Sequence, residues 1–438
     1  MNRMKLVIRK KVLMTMAVML AGSVYAQDTL RLDLDKALEI ALNDNPTIQV
    51  AGQNVEKKTY ARKEAIANLF PTLSASGSYS HSIEKMSFAM SGQVIRAGST
   101  NSFQGGFNLN LPIYSPTLYK SIQLTKDDVE LALESARSSK LDLINQVSKA
   151  YYQLLLAQDS YTVLQQSYKQ AQTNYEVVSN KYKQGTVSEY DQLRAEVQVR
   201  NLEPSVISAE NAVNLTRMQL QVLMGMNVEQ PIAIEGNLSD YEEGMLAHYM
   251  AADTSLVDNT ELKQLQIQAK MLDKSVFLAK ASMLPSLSFT SQYSWMSMAE
   301  DLKFKDYRWN PYATVGLSLN IPIVNVANMF KIKQAKNDVK QLALNTINVQ
   351  RNMRLMVNNY QDNMQNSIEQ VESNKESVKQ AQKACTIARK RYEVGSGTIL
   401  EVNDSEVALM QSRLTYNQSI FNYLSARCDL DKVLGKTK

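Results

Sequence analysis

Glycine and proline are scarce in this chain, 15 and 9 among 438 residues, and both are missing altogether from residues 117–184 and 327–394. With neither residue to interrupt them, those stretches exclude a succession of short elements and leave long helices. Two cysteines in a chain of this size exclude a disulfide framework. The two histidines, His81 and His248, have no ligand partners at metal spacing, which leaves no zinc or copper site to argue for. Asp33, Asp35, Asp127 and Asp128 read as helix-start or surface residues, and no nucleophile elbow or phosphate loop occurs. Nothing here points to an enzyme or implies a cofactor. The formal net charge of +5 resides in Arg3, Lys5, Arg9, Lys10 and Lys11, since the first 26 residues hold no acidic side chain. The rest is balanced, so charge gives no reason to expect nucleic acid as a partner.

That basic start is followed by an apolar run from Val12 to Ala21, too short to span a membrane, and by the small-x-small pattern Val24-Tyr25-Ala26. Residues 1–26 therefore read as a secretory signal peptide, with the exported chain beginning at Gln27. The residue directly after the cleavage point is Gln27 and not cysteine, so no N-terminal lipid anchor is expected.

The remainder repeats itself. Residues 112–225 align without a gap on residues 322–435, at a constant offset of 210. Pro112-Ile113 meets Pro322-Ile323, the run from Ser167 to Gln172 meets Ser377 to Gln382, and Tyr182, Gly185 and Gly225 meet Tyr392, Gly395 and Gly435. A period this long is a duplicated structural unit rather than a solenoid repeat. The division expected is a first repeat over 27–225, a connector over 226–258 and a second repeat over 259–438.

Each 68-residue run free of glycine and proline would make a helix of roughly 100 Å at 1.5 Å per residue. Tyr161, Leu164, Tyr168, Ala171, Tyr175, Val178 and Tyr182 step three and four residues apart, and Val371, Asn374, Val378, Ala381, Cys385, Ala388 and Tyr392 repeat the steps. That is a heptad seam. A glycine turn at Gly185 or Gly395 then leads into a returning helix, giving helical hairpins over 117–224 and 327–434. Period-two alternation precedes each hairpin, predicting strands about 70–82, 102–113, 285–296 and 311–323, with polar loops near 82–101 and 296–311. Further helices are expected about 35–68 and 259–283. One strand face is apolar and the other carries Ser, Thr and Asn, as in a membrane β-barrel with a polar interior. Four strands cannot close a barrel, and lipid does not tolerate an open edge. Strands placed in a membrane would oblige several chains to share one barrel. Trp295, Trp309, Tyr79 and Tyr293 could form an aromatic girdle there.

The stretch from Arg391 to Asp404 resembles the corresponding tip of the TolC-like outer membrane efflux proteins, and Lys181 to Asp191 fits the same pattern. The resemblance covers nearly all of the chain after residue 26. It implies a mostly α fold with a small membrane β-barrel portion: a homotrimer with a twelve-stranded barrel in outer-membrane lipid and an α-helical tunnel crossing the periplasm of a double-membraned bacterium. It further implies a passive exit duct of a tripartite efflux or type I secretion system. A periplasmic membrane-fusion adaptor would open it, and an inner-membrane transporter of RND or ABC type would supply the energy. The family's constriction ring of carboxylates falls on Glu401 and Asp404, and its closed-state latch falls on Tyr392 and Asp191. Adaptor docking falls on the tips, Gly185, Thr186, Val187 and Ser188 with Gly395, Ser396, Gly397 and Thr398. At the family's latch arginine this chain has Gly397, a departure for which Arg391 or Arg389 could compensate. The reading from another class is a periplasmic coiled-coil scaffold without a pore.

Overall fold

In the computed structural model the described residues are 30–90, 93–251, 254–303, 305 and 307–436, so the expected signal peptide lies outside them. In chain order the elements are β1 (Leu30–Leu32), α1 (Leu34–Asp44), α2 (Pro46–Ala67), β2 (Thr72–His81), β3 (Met86–Met90), β4 (Gln93–Ala97) and β5 (Asn101–Tyr114). There follow α3 (Pro116–Lys183), α4 (Glu189–Met224), β6 (Ile232–Ile234), a 3₁₀ turn (Leu238–Tyr241), α5 (Met245–Met250) and α6 (Thr260–Ala281). The chain ends with β7 (Ser286–Ala299), β8 (Asn310–Asn320), α7 (Val326–Glu393) and α8 (Ile399–Leu434). The two long helices have 68 residues each and the two returning helices 36 each. Compactness does not follow the repeat. One unit takes residues up to 49, 140–255 and from 355 onward, the other 50–139 and 256–354, so each draws on both halves.

The second of these units holds a four-stranded antiparallel sheet in the order β2-β5-β7-β8. Its register places Leu73, Leu109, Ser291 and Val315 in one row and Ser76, Gly106, Ser294 and Tyr312 in another. The first row lies on the apolar face and the second on the polar face, as the period of two requires. On the polar face the Gln104 amide donates to the Tyr312 hydroxyl at 3.0 Å. On the other face Trp295 sits opposite Gly105 and meets the rings of Tyr293 and Phe107 edge-on, at 4.7 and 5.9 Å. A Cβ at Gly106 would stand 2.5 Å from the Ser294 hydroxyl and from the Tyr293 carbonyl, so only glycine permits this approach of β5 to β7. The expected loop near 82–101 contains a further hairpin, β3 with β4. Both outer strands of the sheet, β2 and β8, are exposed along their whole length.

In the same unit α3 is flanked on two sides. Lys58 of α2 lies 3.8 Å from Asp128, and Lys274 of α6 donates to Asp127 at 2.8 Å. The helix expected about 35–68 is two helices, because Asn45 ends α1 and its side chain caps α2 by accepting from the Thr47 N–H at 2.7 Å. Pro46 then occupies the first helical position, where a missing N–H costs nothing.

The other unit holds the apolar core. Tyr151, Leu154, Leu155, Leu220, Met224, Ile420, Tyr423, Leu424, Leu430 and Leu434 are almost wholly enclosed, and each has lost its exposed apolar area to the two hairpins. The connector joins this core: Leu238 is fully buried, its N–H donates to Asp159, and the Tyr423 hydroxyl donates to the Met245 carbonyl. Burial pushes the Asp159 carboxyl up, and the Leu238 N–H partly offsets it. β1 pairs in parallel with β6, bringing the start of the described chain onto the connector.

Candidate functional site at the hairpin tips

Both hairpins turn through a glycine with positive φ, +73° at Gly185 and +76° at Gly395. The next amide reaches back into the helix, Thr186 N–H to the Lys181 carbonyl at 3.0 Å and Ser396 N–H to the Arg391 carbonyl at 2.8 Å. This is the left-handed cap that glycine alone adopts without strain. The returning helices start on hydroxyl caps, Ser188 for α4 and Thr398 for α8.

The two tips lie side by side around one open cavity, lined by Lys181, Thr186, Asp191, Tyr392, Gly397 and Thr398 among others. Beneath it Val178, Ala195, Ala388, Ile399 and Val402 form a buried cluster against which Tyr175, Val187 and Tyr392 pack. Four of these, Tyr175, Val178, Ala388 and Tyr392, come from the heptad seam. Cys385, on the same seam, is fully buried and free. Cys428 lies in the core unit, where burial pushes its thiol up to about 12.

Tyr392 and Asp191 come to one place but are not bonded to each other. The Tyr392 hydroxyl is buried without a hydrogen-bond partner among the described residues, and the Lys181 ammonium stands 4.3 Å from its ring centre. Burial raises its pKa, and the nearby Asp191 carboxylate adds to the effect. Asp191 instead completes a capping box, accepting from the Ser188 hydroxyl at 2.8 Å and the Ser188 N–H at 3.2 Å. Glu401 lies 3.3 Å from Arg391, and both side chains are about half exposed. Arg391 also donates to the Ser396 carbonyl at 3.1 Å. Asp404 is exposed on the same helix, three residues on. A Cβ at Gly397 would meet Arg391 Cβ at 3.0 Å and Glu401 Oε2 at 3.2 Å, so Arg391 fills the space beside this glycine.

Above the tips lies a contact that reading the sequence did not single out. Glu406, whose side chain is only 9 % exposed, takes Arg389 Nη2 at 2.9 Å and the Asn174 amide at 2.8 Å on one oxygen. The described residues include no cluster of three or more His, Cys, Asp or Glu side chains arranged for a metal. None of their helices is long and apolar enough to cross a membrane.

A sequence model described as "Outer membrane efflux protein" matches residues 37–226 and 251–436. The chain belongs to the outer membrane efflux protein family. Its two matched segments follow the duplication. Among similar proteins, the toluene efflux pump outer membrane protein TtgC of Pseudomonas putida is 20% identical over 411 residues, 92% of this chain and 82% of that one. The outer membrane protein TolC of Vibrio cholerae is 19% identical over 338 residues, 75% of this chain and 76% of that one. The crystal structure of the Campylobacter jejuni CmeC outer membrane channel superimposes with a TM-score of 0.74 at 17% identity, covering 92% of this chain and 85% of that one. The fold is thus that of the TolC-like channels, and the protein resides in the outer membrane with a periplasmic extension.

Proposed function

We propose that three copies of this chain form a passive exit duct through the outer membrane, with a twelve-stranded barrel above an α-helical tunnel. The observation that carries this reading is the sheet itself. It has four strands, an apolar face, and two outer strands whose backbone groups have no further strand to pair with among the described residues. In hydrocarbon those groups must be satisfied, and pairing β8 of one copy with β2 of the next satisfies them. Three copies place Ser, Thr, Asn and Gln toward a lumen wide enough for water. The long helices support the same assembly. Between residues 329 and 355 α7 exposes Met329, Phe330, Leu344 and Leu355, each by more than half, a stripe that a neighbouring copy would cover.

The tunnel closes at the tips. Six carboxylates, Glu401 and Asp404 from each copy, form a ring that favours cations, although Arg391 offsets part of the Glu401 charge. Tyr392 and Asp191 form the latch once Asp191 exchanges a Ser188 contact for the Tyr392 hydroxyl. A periplasmic adaptor docks on Gly185–Ser188 and Gly395–Thr398, untwists the hairpins and couples the duct to an inner-membrane transporter. Substrate choice then rests with that transporter.

The test is purification from outer-membrane fractions followed by planar-bilayer recording. Heat-dissociable trimers that form discrete cation-selective pores are expected. A soluble periplasmic protein without conductance would overturn the duct.

A further inference from the structure

We propose that α7 carries, on the outside of the tunnel wall, a cationic stripe that docks onto the carboxylate-bearing polymer of the cell wall and seats the duct where it crosses that layer. This rests on the exit-duct reading. The stripe consists of Lys333, Lys336, Lys340, Arg351 and Arg354, all exposed. At 100° per residue they fall within an arc of about 60°, and from first to last they run about 32 Å along the helix. Between residues 326 and 354 the only acid is Asp338, which lies with Lys331 on the opposite side of the helix. Among the described residues none of the five reaches a carboxylate at salt-bridge distance, and the Lys333 ammonium stands 5.5 Å from the centre of the Phe330 ring. The fold does not require this charge. At the offset of 210 the counterparts are Gln123, Lys126, Glu130, Leu141 and Ile144, which carry no net charge. There Glu130 lies 3.8 Å from Lys270, and Leu141 is buried.

The direction in which the stripe faces follows from what covers its continuation. Gln365, about three turns beyond Arg354 and in the same arc, accepts from the Tyr249 hydroxyl of α5 in the connector at 3.1 Å. In the first copy Leu141 and Ile144, counterparts of Arg351 and Arg354, line one cavity with Leu34 and Leu38 of α1. Three connectors and three α1 helices set inside a tunnel would fill it, so this face looks outward. Phe330, Leu344 and Leu355 run beside the stripe, where a neighbouring copy covers them, and the five charges are left facing the periplasm. A lipid surface lies across the helix and would engage only its uppermost turns, whereas the stripe continues for about six. A stripe parallel to the duct axis matches a layer through which the duct passes. Five like charges without an internal partner repel one another, and carboxylates repeated along an extended polymer relieve that repulsion while both partners stay hydrated.

Co-sedimentation of the purified trimer with cell-wall sacculi stripped of protein tests this. Wild type should pellet with the sacculi, less so as salt rises, and should not pellet with sacculi whose carboxylates have been converted to amides. Lys336→Glu with Lys340→Glu and Arg351→Glu should weaken binding several-fold. Lys331→Glu, a charge change on the opposite side of the same helix, should leave it unchanged. Lys336→Gln with Lys340→Gln and Arg351→Gln should act in the same direction more weakly and guards against loss of the trimer in the acidic variant. Absence of wild-type pelleting, equal pelleting of the wild type and both stripe variants, or binding that survives amidation would overturn the stripe. So would a wild-type trimer that binds phosphatidylglycerol vesicles and not sacculi. Stripe variants that shift the ion selectivity of the pore and leave sacculus binding intact would place these charges in the lumen and overturn it as well. A trimer that binds sacculi through the stripe yet forms no pore would instead overturn the exit-duct reading.

Discussion

The two hairpins match position for position at the offset of 210, yet they use the same side-chain chemistry differently. Asp191 and Glu401 are equivalent, third residues of their returning helices. Asp191 turns inward to its own cap on Ser188, whereas Glu401 leaves its cap to a single hydroxyl and stands against Arg391. Glu196 and Glu406 are equivalent too. The first makes a local pair with Arg200 one turn on, and the second is buried across three helices. Tyr182 lies open to solvent while Tyr392 packs into the tip cluster. The first hairpin's two carboxylates bond within their own returning helix, whereas the second's reach α7, and Glu406 reaches α3 as well. Duplication thus preserved a backbone while the contacts of equivalent side chains diverged.

The largest effect expected from attacking this arrangement lies at the sheet. Val315→Arg puts a charge on the apolar face of β8 and should cost about 2–4 kcal/mol per copy near the bilayer midplane. Loss of the trimer band from unheated samples on a gel would report it. Next, Phe330→Ala with Leu344→Ala removes part of the bare α7 stripe. Each truncation should lower trimer stability by about 1–3 kcal/mol, read as an earlier thermal dissociation, if a neighbour covers those side chains.

Acid comes third. Burial alone would push the Glu242 carboxyl up, but the hydrogen bonds from Lys375 and Tyr416 outweigh it and hold it below its ordinary 4.5. A lowered folded-state pKa means stability that is present above the unfolded value and lost as pH falls through the folded one. Acid titration below about pH 4.5 should therefore weaken wild type more steeply than Glu242→Gln, measured by the denaturation midpoint. Fourth, Glu401→Ala with Asp404→Ala should abolish cation preference in bilayer recordings. Stability should change by less than about 1 kcal/mol, since the Arg391 pair is half exposed. Smallest is Gly397→Arg, which restores the family's residue but must displace Arg391. A modest fall in basal conductance is expected, and an unchanged value would assign tip closure to other contacts.

Long helices, glycine turns and alternating strands could be read from the sequence because each is a local pattern. Periodicity and the absence of helix breakers act within a few turns of the residues concerned. The break at Asn45 was visible as Asn-Pro, but its capping geometry decided that one helix becomes two. The site was legible only where the two tips align with the family. Glu406 was not, because its identical counterpart Glu196 makes a surface pair, and nothing local distinguishes a carboxylate facing solvent from one facing Asn174. Nor does sequence reveal that Arg391 occupies the space beside Gly397, since six residues of separation come into contact only through the geometry of the turn.

The parallel pairing of β1 with β6 bears on the order in which the molecule can assemble. Leu30–Leu32 cannot be fastened until Ile232–Ile234 is available, about 200 residues later. A chain that enters its compartment from its first residue must therefore leave that end loose while both arms of the first hairpin collapse. The closure entropy of so long a loop puts this step late in folding. An early segment thus waits for the connector before it is secured.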